Sequence, residues 1–285
     1  MAAARSDGLL LVDKPAGMSS HDVVAMVRRA RGGVKGGHTG TLDPFATGLL
    51  LVALGRATRL IRFVPAEPKV YRATIAFGLA TDTDDITGNP VGQGPVPSDA
   101  TVMQAIPALT GHFQQVPPDF SARHVEGRRA YAIARKGGAP DLAPSPVSVQ
   151  RWEVHSLGDG RLDATISCGS GTYIRALARD LGRLCGTVAH LVSLRRTSIG
   201  PFDVRDAVAP DESGDAPLLP AADALAGMPR RVVARDDVTR VQHGQPIAAH
   251  DVGSFVALMD EAGDLVAVAK REGEWWQPRV VISGD

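Results

Sequence analysis

The sequence predicts an α+β fold: a mixed, mainly antiparallel central sheet with flanking helices, followed by a small C-terminal β-barrel. Three observations carry this expectation. Short apolar runs of strand length recur from residue 9 to residue 197, separated by a few amphipathic helical stretches. Two of these runs, 149–155 and 161–168, follow each other closely enough to be adjacent strands. From residue 230 the chain is strand-rich again, after a stretch, 211–228, where Pro, Ala, Gly and acidic residues replace any periodic pattern.

Residues 9–13 are a short apolar run ending at Lys14-Pro15 and read as a buried strand. Ser19 and Ser20 can cap a helix over 21–30, with Val23, Val24 and Val27 on its inner face and Gly32-Gly33 ending it. A loop rich in glycine and threonine spans 36–48, and 48–54 reads as a second buried strand. A short helix after Gly55 would put Arg56, Arg59 and Arg62 on one face at i, i+3 spacing. Residues 70–77, with Tyr71, Thr74, Ile75 and Phe77, suit a strand, and the polar 81–88 suits a loop. A helix near 101–109 precedes an irregular stretch, 113–149, in which 131–136 can form a short helix. Loops that long inside a compact domain are uncommon and are often binding loops or lids. After the two adjacent strands, Gly169-Ser170-Gly171-Thr172 opens a strong helix, with Ser170 or Thr172 as cap and Ile174, Leu177, Leu181 and Leu184 inward. Gly186 ends it, 189–197 is a further strand, and 211–228 reads as a linker. The last part has a helix near 236–242 and turns at 261–263 and 272–273.

With 285 residues, 44% hydrophobic and 22% charged, the chain can bury the core of one large domain, or of a large and a small one. No apolar run approaches bilayer-crossing length, and the first residues lack a signal peptide's apolar centre, so a cytoplasmic location is expected. Only Cys168 and Cys185 occur, without paired spacing, which argues against a disulfide framework or a structural zinc. The 31 basic and 31 acidic residues cancel, so net charge gives no hint of nucleic acid. Basic residues nevertheless cluster at Arg56, Arg59 and Arg62, at Arg123, His124, Arg128, Arg129, Arg135 and Lys136, and at Arg175, Arg179, Arg183, Arg195 and Arg196. Acidic residues gather at Asp82, Asp84, Asp85 and over 211–215. Such segregation permits a basic face toward phosphate, although solvated surface charge is the plainer account of any one cluster.

The segment Gly36-Gly37-His38-Thr39-Gly40-Thr41-Leu42-Asp43-Pro44-Phe45-Ala46-Thr47-Gly48 is the most informative in the chain. Pro44 fixes its own φ and pushes Asp43 toward an extended conformation, so the carboxylate is aimed. The glycines allow close backbone approach, and the threonines can hold the loop's shape. On spacing alone, an aspartate that merely caps a turn is the simpler reading.

The loop resembles the signature of the TruB family of pseudouridine synthases, and further segments resemble the same family in order. They are the run Asp13-Lys14-Pro15-Ala16-Gly17-Met18-Ser19-Ser20 with the apolar residues before it, Lys69-Val70-Tyr71-Arg72, and Thr81-Asp82-Thr83-Asp84. Pro117-Pro118 with Ser121-Ala122, Gly171-Thr172-Tyr173-Ile174-Arg175 and Leu194-Arg195-Arg196 follow, so the resemblance spans about residues 8–200. It implies an enzyme that isomerises the T-loop uridine (position 55) of tRNA: the glycosidic bond breaks, the base turns, and it rejoins through carbon 5, without redox cofactor or metal. The resemblance makes Asp43 the nucleophile, with attack on sugar or on base left open. It pairs Arg175 with Asp43 as a two-point clamp, and stacks Tyr71 on the base with its phenol near carbon 5. Tyr173 and Leu194 would line the same pocket, His38 would support the rearranged T-loop, and Lys14 would lie near the site. Each has a plain structural counterpart: core for Tyr71, ordinary packing for Tyr173 and Leu194, a solvated helix position for Arg175, an unremarkable loop histidine for His38 and a structural lysine for Lys14.

The same resemblance makes 1–228 a catalytic domain with an RNA-clamping insertion at about 113–149. The pair Arg123-His124 stands where the family carries a lysine-containing pair, which keeps the positive charge. Residues 229–285 stand where the family has a small RNA-binding β-domain of the PUA kind, a match resting on placement and strand content. The expected partner is the tRNA T-arm, with no guide RNA and no membrane, and with the chain as a monomer. A guide-dependent synthase, a tRNA-folding helper and a structural RNA-binding module are the alternatives; the helper role can also coexist with catalysis.

Overall fold

The computed structural model describes residues 7–121, 123–125, 128–134, 138, 140–249 and 253–282. In chain order it contains β1 (Gly8–Lys14), α1 (Ser20–Ala30), β2 (Gly36–Thr39), β3 (Thr47–Leu54), a 3-10 helix (Gly55–Phe63), β4 (Lys69–Phe77), β5 (Leu79–Thr81), β6 (Pro90–Gln93), α2 (Asp99–Ala105) and β7 (Gly111–Gln115). Then come β8 (His124–Val125), β9 (Arg128–Arg129), α3 (Ala130–Ala134), β10 (Ser145–Gly158), β11 (Arg161–Cys168), α4 (Ile174–Leu184), β12 (Ala189–Ile199) and β13 (Phe202–Asp203). The last part is β14 (Arg230–Val232), α5 (Arg235–Gln242), β15 (Ile247–Ala248), β16 (Phe255–Met259), β17 (Leu265–Glu272) and β18 (Trp275–Val281). Among the described residues no helix is long and apolar enough to cross a membrane.

The main sheet runs β1-β3-β12-β4-β11-β10-β7, with β2 beside β3 and β13 beside β12. All its pairings are antiparallel except the short parallel contact of β3 with β12, so the sheet is mixed and mainly antiparallel. β3 reads as an unbroken apolar run because both its faces are covered. Leu50, Val52 and Leu54 pack under Val23, Val24 and Val27 of α1, whereas Leu49, Leu51 and Ala53 face a second cluster with Ile199 and Phe202. β4 and β11 instead alternate. Tyr71, Ala73, Ile75 and Phe77 join Leu162, Ala164, Ile166 and Cys168 on the face that α4 covers with Leu177, Ala178 and Leu181. Each fully buried leucine there contributes about 1.5–3 kcal/mol.

Several expectations need correction. Residues 36–39 of the glycine-rich loop form β2 against β3. Serine caps α1 as expected, with Ser19 and Asp22 forming a reciprocal capping box. Neither Ser170 nor Thr172 caps α4. Its N-cap is Tyr173, whose N–H donates to Gln115 Oε1 at 2.9 Å and whose carbonyl accepts from Gln115 Nε2 at 3.2 Å. A buried glutamine from β7 thus replaces the local cap, and the Ser170 N–H is taken by Glu67 Oε1 at 2.7 Å. Leu184, expected inward, is exposed, because α4 ends at the rim of the sheet. The short helix expected over 131–136 is seen as α3, while Arg135 and Lys136 lie outside the described residues.

Residues 211–228 are not a free linker. Leu219 exchanges backbone hydrogen bonds with Leu9 at 2.8 and 3.0 Å, and Ala222, Ala224 and Leu225 are buried. The last five strands form a sheet in the order β14-β16-β17-β18-β15, curled into a half-barrel consistent with a PUA-like domain. One face buries Val241 of α5. The other buries Leu60, Ala222 and Leu225, with Phe63 packed edge-on to Phe255 at a centroid distance of 5.4 Å. The 3-10 helix, at three residues per turn, does align Arg56, Arg59 and Arg62. These arginines serve the fold: Arg56 pairs with Asp7, Arg59 donates to the Val281 carbonyl at 2.7 Å, and Arg62 lies over the Phe63 ring.

Candidate active site

The loop from Gly40 to Ala46 joins β2 to β3, and its residues 40–44 are each pinned from outside. Arg196 donates to the Gly40 carbonyl at 2.9 Å and toward Thr41 at 3.4 Å. The Ser20 hydroxyl accepts from Leu42 N at 2.9 Å and donates to its carbonyl at 3.1 Å. The Pro44 carbonyl accepts from Gly17 N at 2.8 Å and from Lys14 Nζ at 3.2 Å. Between these anchors the Asp43 carboxylate meets Arg175: Nε to Oδ2 at 2.9 Å and Nη2 to Oδ1 at 3.0 Å. The geometry is a bidentate fork, which fixes the direction of the carboxylate as well as its place.

Arg175 itself is held on all sides. Nη1 donates to the Thr83 carbonyl at 2.8 Å and Nη2 to the Phe120 carbonyl at 2.9 Å, with the buried Asp85 carboxylate 3.6 Å from Nε. Its side chain is 4% exposed against 34% for Asp43, so the acid faces the open space and the base stands behind it. One turn later Arg179 pairs with Asp84, whose carboxyl burial pushes up to about 6 despite the arginine's opposing pull. Asp84 and Asp85 of the acidic segment thus face Arg179 and Arg175 of α4, while Asp82 and Arg183 stay exposed.

Asp43 and Arg175 lie in a cavity of about 260 Å³, whose walls include Tyr71, Tyr173, Leu194, Lys69 and Arg196. Tyr71 and Arg196 are register partners of β4 and β12, so their side chains share the helix-covered face. Burial pushes the Tyr71 phenol up, with the Arg196 charge pulling the other way. Arg196, fully buried, also donates to the Leu49 carbonyl at 2.8 Å. Two glycines make the packing possible. A Cβ on Gly48, at φ +102°, would lie 2.2 Å from the Arg196 carbonyl oxygen. One on Gly40, at φ +68°, would touch both Arg196 Nη1 and Lys69 Cε at 3.4 Å. Ser121 Oγ, buried and without a hydrogen-bond partner among the described residues, is a further wall.

Five of the seven residues expected at the site therefore line one cavity: Asp43, Tyr71, Tyr173, Arg175 and Leu194. Lys14 and His38 do not. Lys14 is buried behind the loop, giving its three donors to the carbonyls of Pro15 (2.8 Å), Met18 (2.7 Å) and Pro44 (3.2 Å). Burial pushes its ammonium down to about 8, against the pull of Asp43. His38 sits in β2, its Nδ1 buried without a hydrogen-bond partner among the described residues and its pKa lowered by burial and by Arg196. Arg196, Lys69 and Gln115 were given no role from the sequence. The first two stood in the quoted motifs, but only strand register shows that they face the cavity. Among the described residues no three His, Cys, Asp or Glu side chains group as metal ligands would.

Residues 28–174 match the model of the TruB family pseudouridylate synthase N-terminal domain, and 175–225 match that of the tRNA pseudouridylate synthase B C-terminal domain. The chain is 42% identical over 291 residues to tRNA pseudouridine synthase B of Thermobifida fusca, covering 98% of this chain and 99% of the relative. It is 43% identical to the protein of the same name from an Arthrobacter species, covering 97% and 96%. Among solved structures, the fold is similar to a chain of a Cbf5-Nop10-Gar1 complex, with a TM-score of 0.72, 24% identity and coverage of 98% and 85%. It is similar also to a chain of an H/ACA RNP bound to a substrate RNA containing 2′-deoxyuridine, at a TM-score of 0.71 and 24% identity, covering 97% and 85%.

Proposed function

Because this chain belongs to the TruB family of pseudouridylate synthases, we propose that it isomerises the T-loop uridine of tRNA, with Asp43 as the nucleophile and no cofactor. That it is a tRNA pseudouridine synthase follows from relatives of that name matching it over nearly its whole length. The observation that carries the finer reading is the Asp43–Arg175 fork, set in a cavity beside Tyr71. A nucleophile held rigidly before the substrate arrives spends none of the binding energy on its own ordering.

The target base must leave the RNA stack to reach Asp43, at a cost of a few kcal/mol that contacts to the flipped nucleotide offset. Tyr71 offers the extruded base a stacking face, and Tyr173 and Leu194 close the walls. The bond between N1 and the ribose is broken and the bond from carbon 5 is made. Carbon 5 gives up its proton and N1 ends protonated, so the product is an isomer and nothing is oxidised. Attack by Asp43 on the sugar or on the base starts from the same carboxylate position. Arg175, through its two-point hold, keeps the carboxylate aimed.

Residues 113–149 would clamp the T-arm through phosphate contacts, which position RNA without reading its sequence. Within 1–228 as a catalytic unit and 229–285 as an RNA-binding one, His38 would support the loop left by the flipped base. Opening the T-loop is itself a remodelling of tRNA, so a folding-helper role accompanies catalysis. Relatives about 42% identical over nearly the whole chain, set against 24% neighbours from H/ACA and Cbf5 complexes, support a reading in which no guide RNA is used. It would work as a cytoplasmic monomer.

The test is pseudouridine mapping at single-nucleotide resolution on unmodified tRNA, with the wild type, Asp43→Asn and Arg175→Lys. The expected result is one modified T-loop uridine with wild type and none with Asp43→Asn, at nearly unchanged tRNA affinity. Arg175→Lys should lose at least about a hundredfold in turnover, because lysine cannot reproduce the fork. Activity surviving in Asp43→Asn would overturn the nucleophile assignment.

A further inference from the structure

The charges around the cavity do not balance. Its walls hold one carboxylate, Asp43, against three cations, Arg175, Lys69 and Arg196. Arg175 is answered by Asp43 and by Asp85 behind it. Among the described residues, no carboxylate lies within 4.0 Å of Lys69 or Arg196. Arg196 is fully buried and donates to the carbonyl oxygens of Gly40, Thr41 and Leu49, with the Tyr71 phenol beside it. Lys69 Nζ has one hydrogen-bond partner, the Ser170 hydroxyl at 2.9 Å. The two cations are brought together over Gly40, where a single added methyl would touch both. Placing two like charges side by side costs stability: burial and Arg196 lower the Lys69 pKa, and the Glu67 carboxylate, held on the Ser170 N–H, and Cys168 offset this only in part. A uracil ring is neutral and cannot repay that cost. The anion that accompanies a flipped base into such a cavity is its own backbone phosphate.

We infer that Lys69, with Arg196 behind it and the Ser170 hydroxyl beside it, forms an anion subsite that takes a phosphate of the flipped nucleotide. The inference rests on the base-flipping reading above. Lys69 is the direct contact, since it has N–H groups not engaged by the described residues. Arg196 acts through its charge and by holding Gly40 in place. The phosphate would bring one negative charge to the pair, so the subsite would favour nucleotides over free uracil or uridine and fix the ribose relative to Asp43. Lysine suits this task as a compact charge on a flexible stem, able to follow the phosphate as the base turns.

The experiment is a cycle between protein and RNA. T-arm stem-loops are made with a neutral methylphosphonate replacing the phosphate on either side of the target uridine, alongside the unmodified RNA. Dissociation constants and turnover are measured for wild type, Lys69→Gln and Lys69→Arg, with melting curves to confirm folding. The expected result is that Lys69→Gln weakens binding of unmodified RNA about tenfold, as does one of the two methylphosphonates with wild type. Combined, the changes should cost no more than either alone, and Lys69→Arg should retain most of the affinity. Penalties that multiply, or a Lys69→Gln protein that binds unmodified RNA as wild type does, would overturn the subsite. The charge-neutral RNA tests the same contact without altering the protein, so a poorly folded variant does not stall the test. If wild type binds the stem-loop but forms no pseudouridine, the catalytic reading fails, and the dissociation constants still decide the subsite.

Discussion

At the scale of single residues, the candidate site depends on groups that never touch the cavity. Lys14 is the clearest case. Its ammonium gives one hydrogen to each of three carbonyls, the longest bond being that to Pro44 next to the nucleophile. Its pKa is pushed down to about 8 from 10.5 by burial. As pH rises through about 8 the folded protein loses that proton, and an amine with two hydrogens cannot serve three acceptors. Turnover should therefore step down above pH 8 while tRNA binding changes little. Stability should move the other way. Below pH 8 the buried charge is penalised in full, and between 8 and 10.5 the unfolded chain holds more protons, so the Lys14 contribution to stability rises with pH. Paired pH profiles of turnover and of denaturant unfolding check this. The idea fails if Lys14→Met, which carries no proton there, shows the same activity step.

At the scale of elements, the short junction of β3 with β12 ties the nucleophile loop to the rest of the sheet. Gly48 lets the two strands meet, and Arg196, whose backbone it touches, anchors the loop at Gly40 and Thr41. Gly48→Ala should cost about 2–4 kcal/mol, combining φ strain with overpacking. Gly33→Ala, at φ +82° with nothing within 4 Å, should show the strain alone, about 1 kcal/mol. Equal denaturation midpoints for the two variants would refute the role given to the junction. Elements of this kind were partly legible in the sequence. The apolar runs of β1 and β3, the alternation of β4 and β11 and the Ser19 cap all follow from local pattern. The α4 cap did not, because Gln115 reaches it from another strand, and Tyr71 beside Arg196 is a fact of register between distant segments. Strand β2 was missed because Gly36 and Gly37 carry no side-chain signal. The apparent segregation of charge was misleading for the same reason: Arg179 and Asp84 are 95 residues apart in the chain and in contact in the fold.

At the scale of the whole molecule, the half-barrel is built into the rest rather than tethered to it. Leu60 and Phe63 of the 3-10 helix, with Ala222 and Leu225, pack directly against the curled sheet. A chain ending at 228 should thus expose that apolar cluster, bind hydrophobic dyes and unfold at lower denaturant than the full chain. In the full chain, fluorescence from Trp275 and Trp276 should change together with far-ultraviolet circular dichroism. Separate transitions would show that the two parts are independent. The strap that runs between them has one more consequence. Strand β1 leaves the ribosome well before its partner, since its Leu9 bonds to Leu219, made roughly 200 residues later, about 10–40 s at ordinary elongation rates. For that interval a strip of consecutive leucines must wait with one edge unsatisfied. Completion of the β1 edge therefore waits on synthesis past residue 219, whatever the stability of the finished fold.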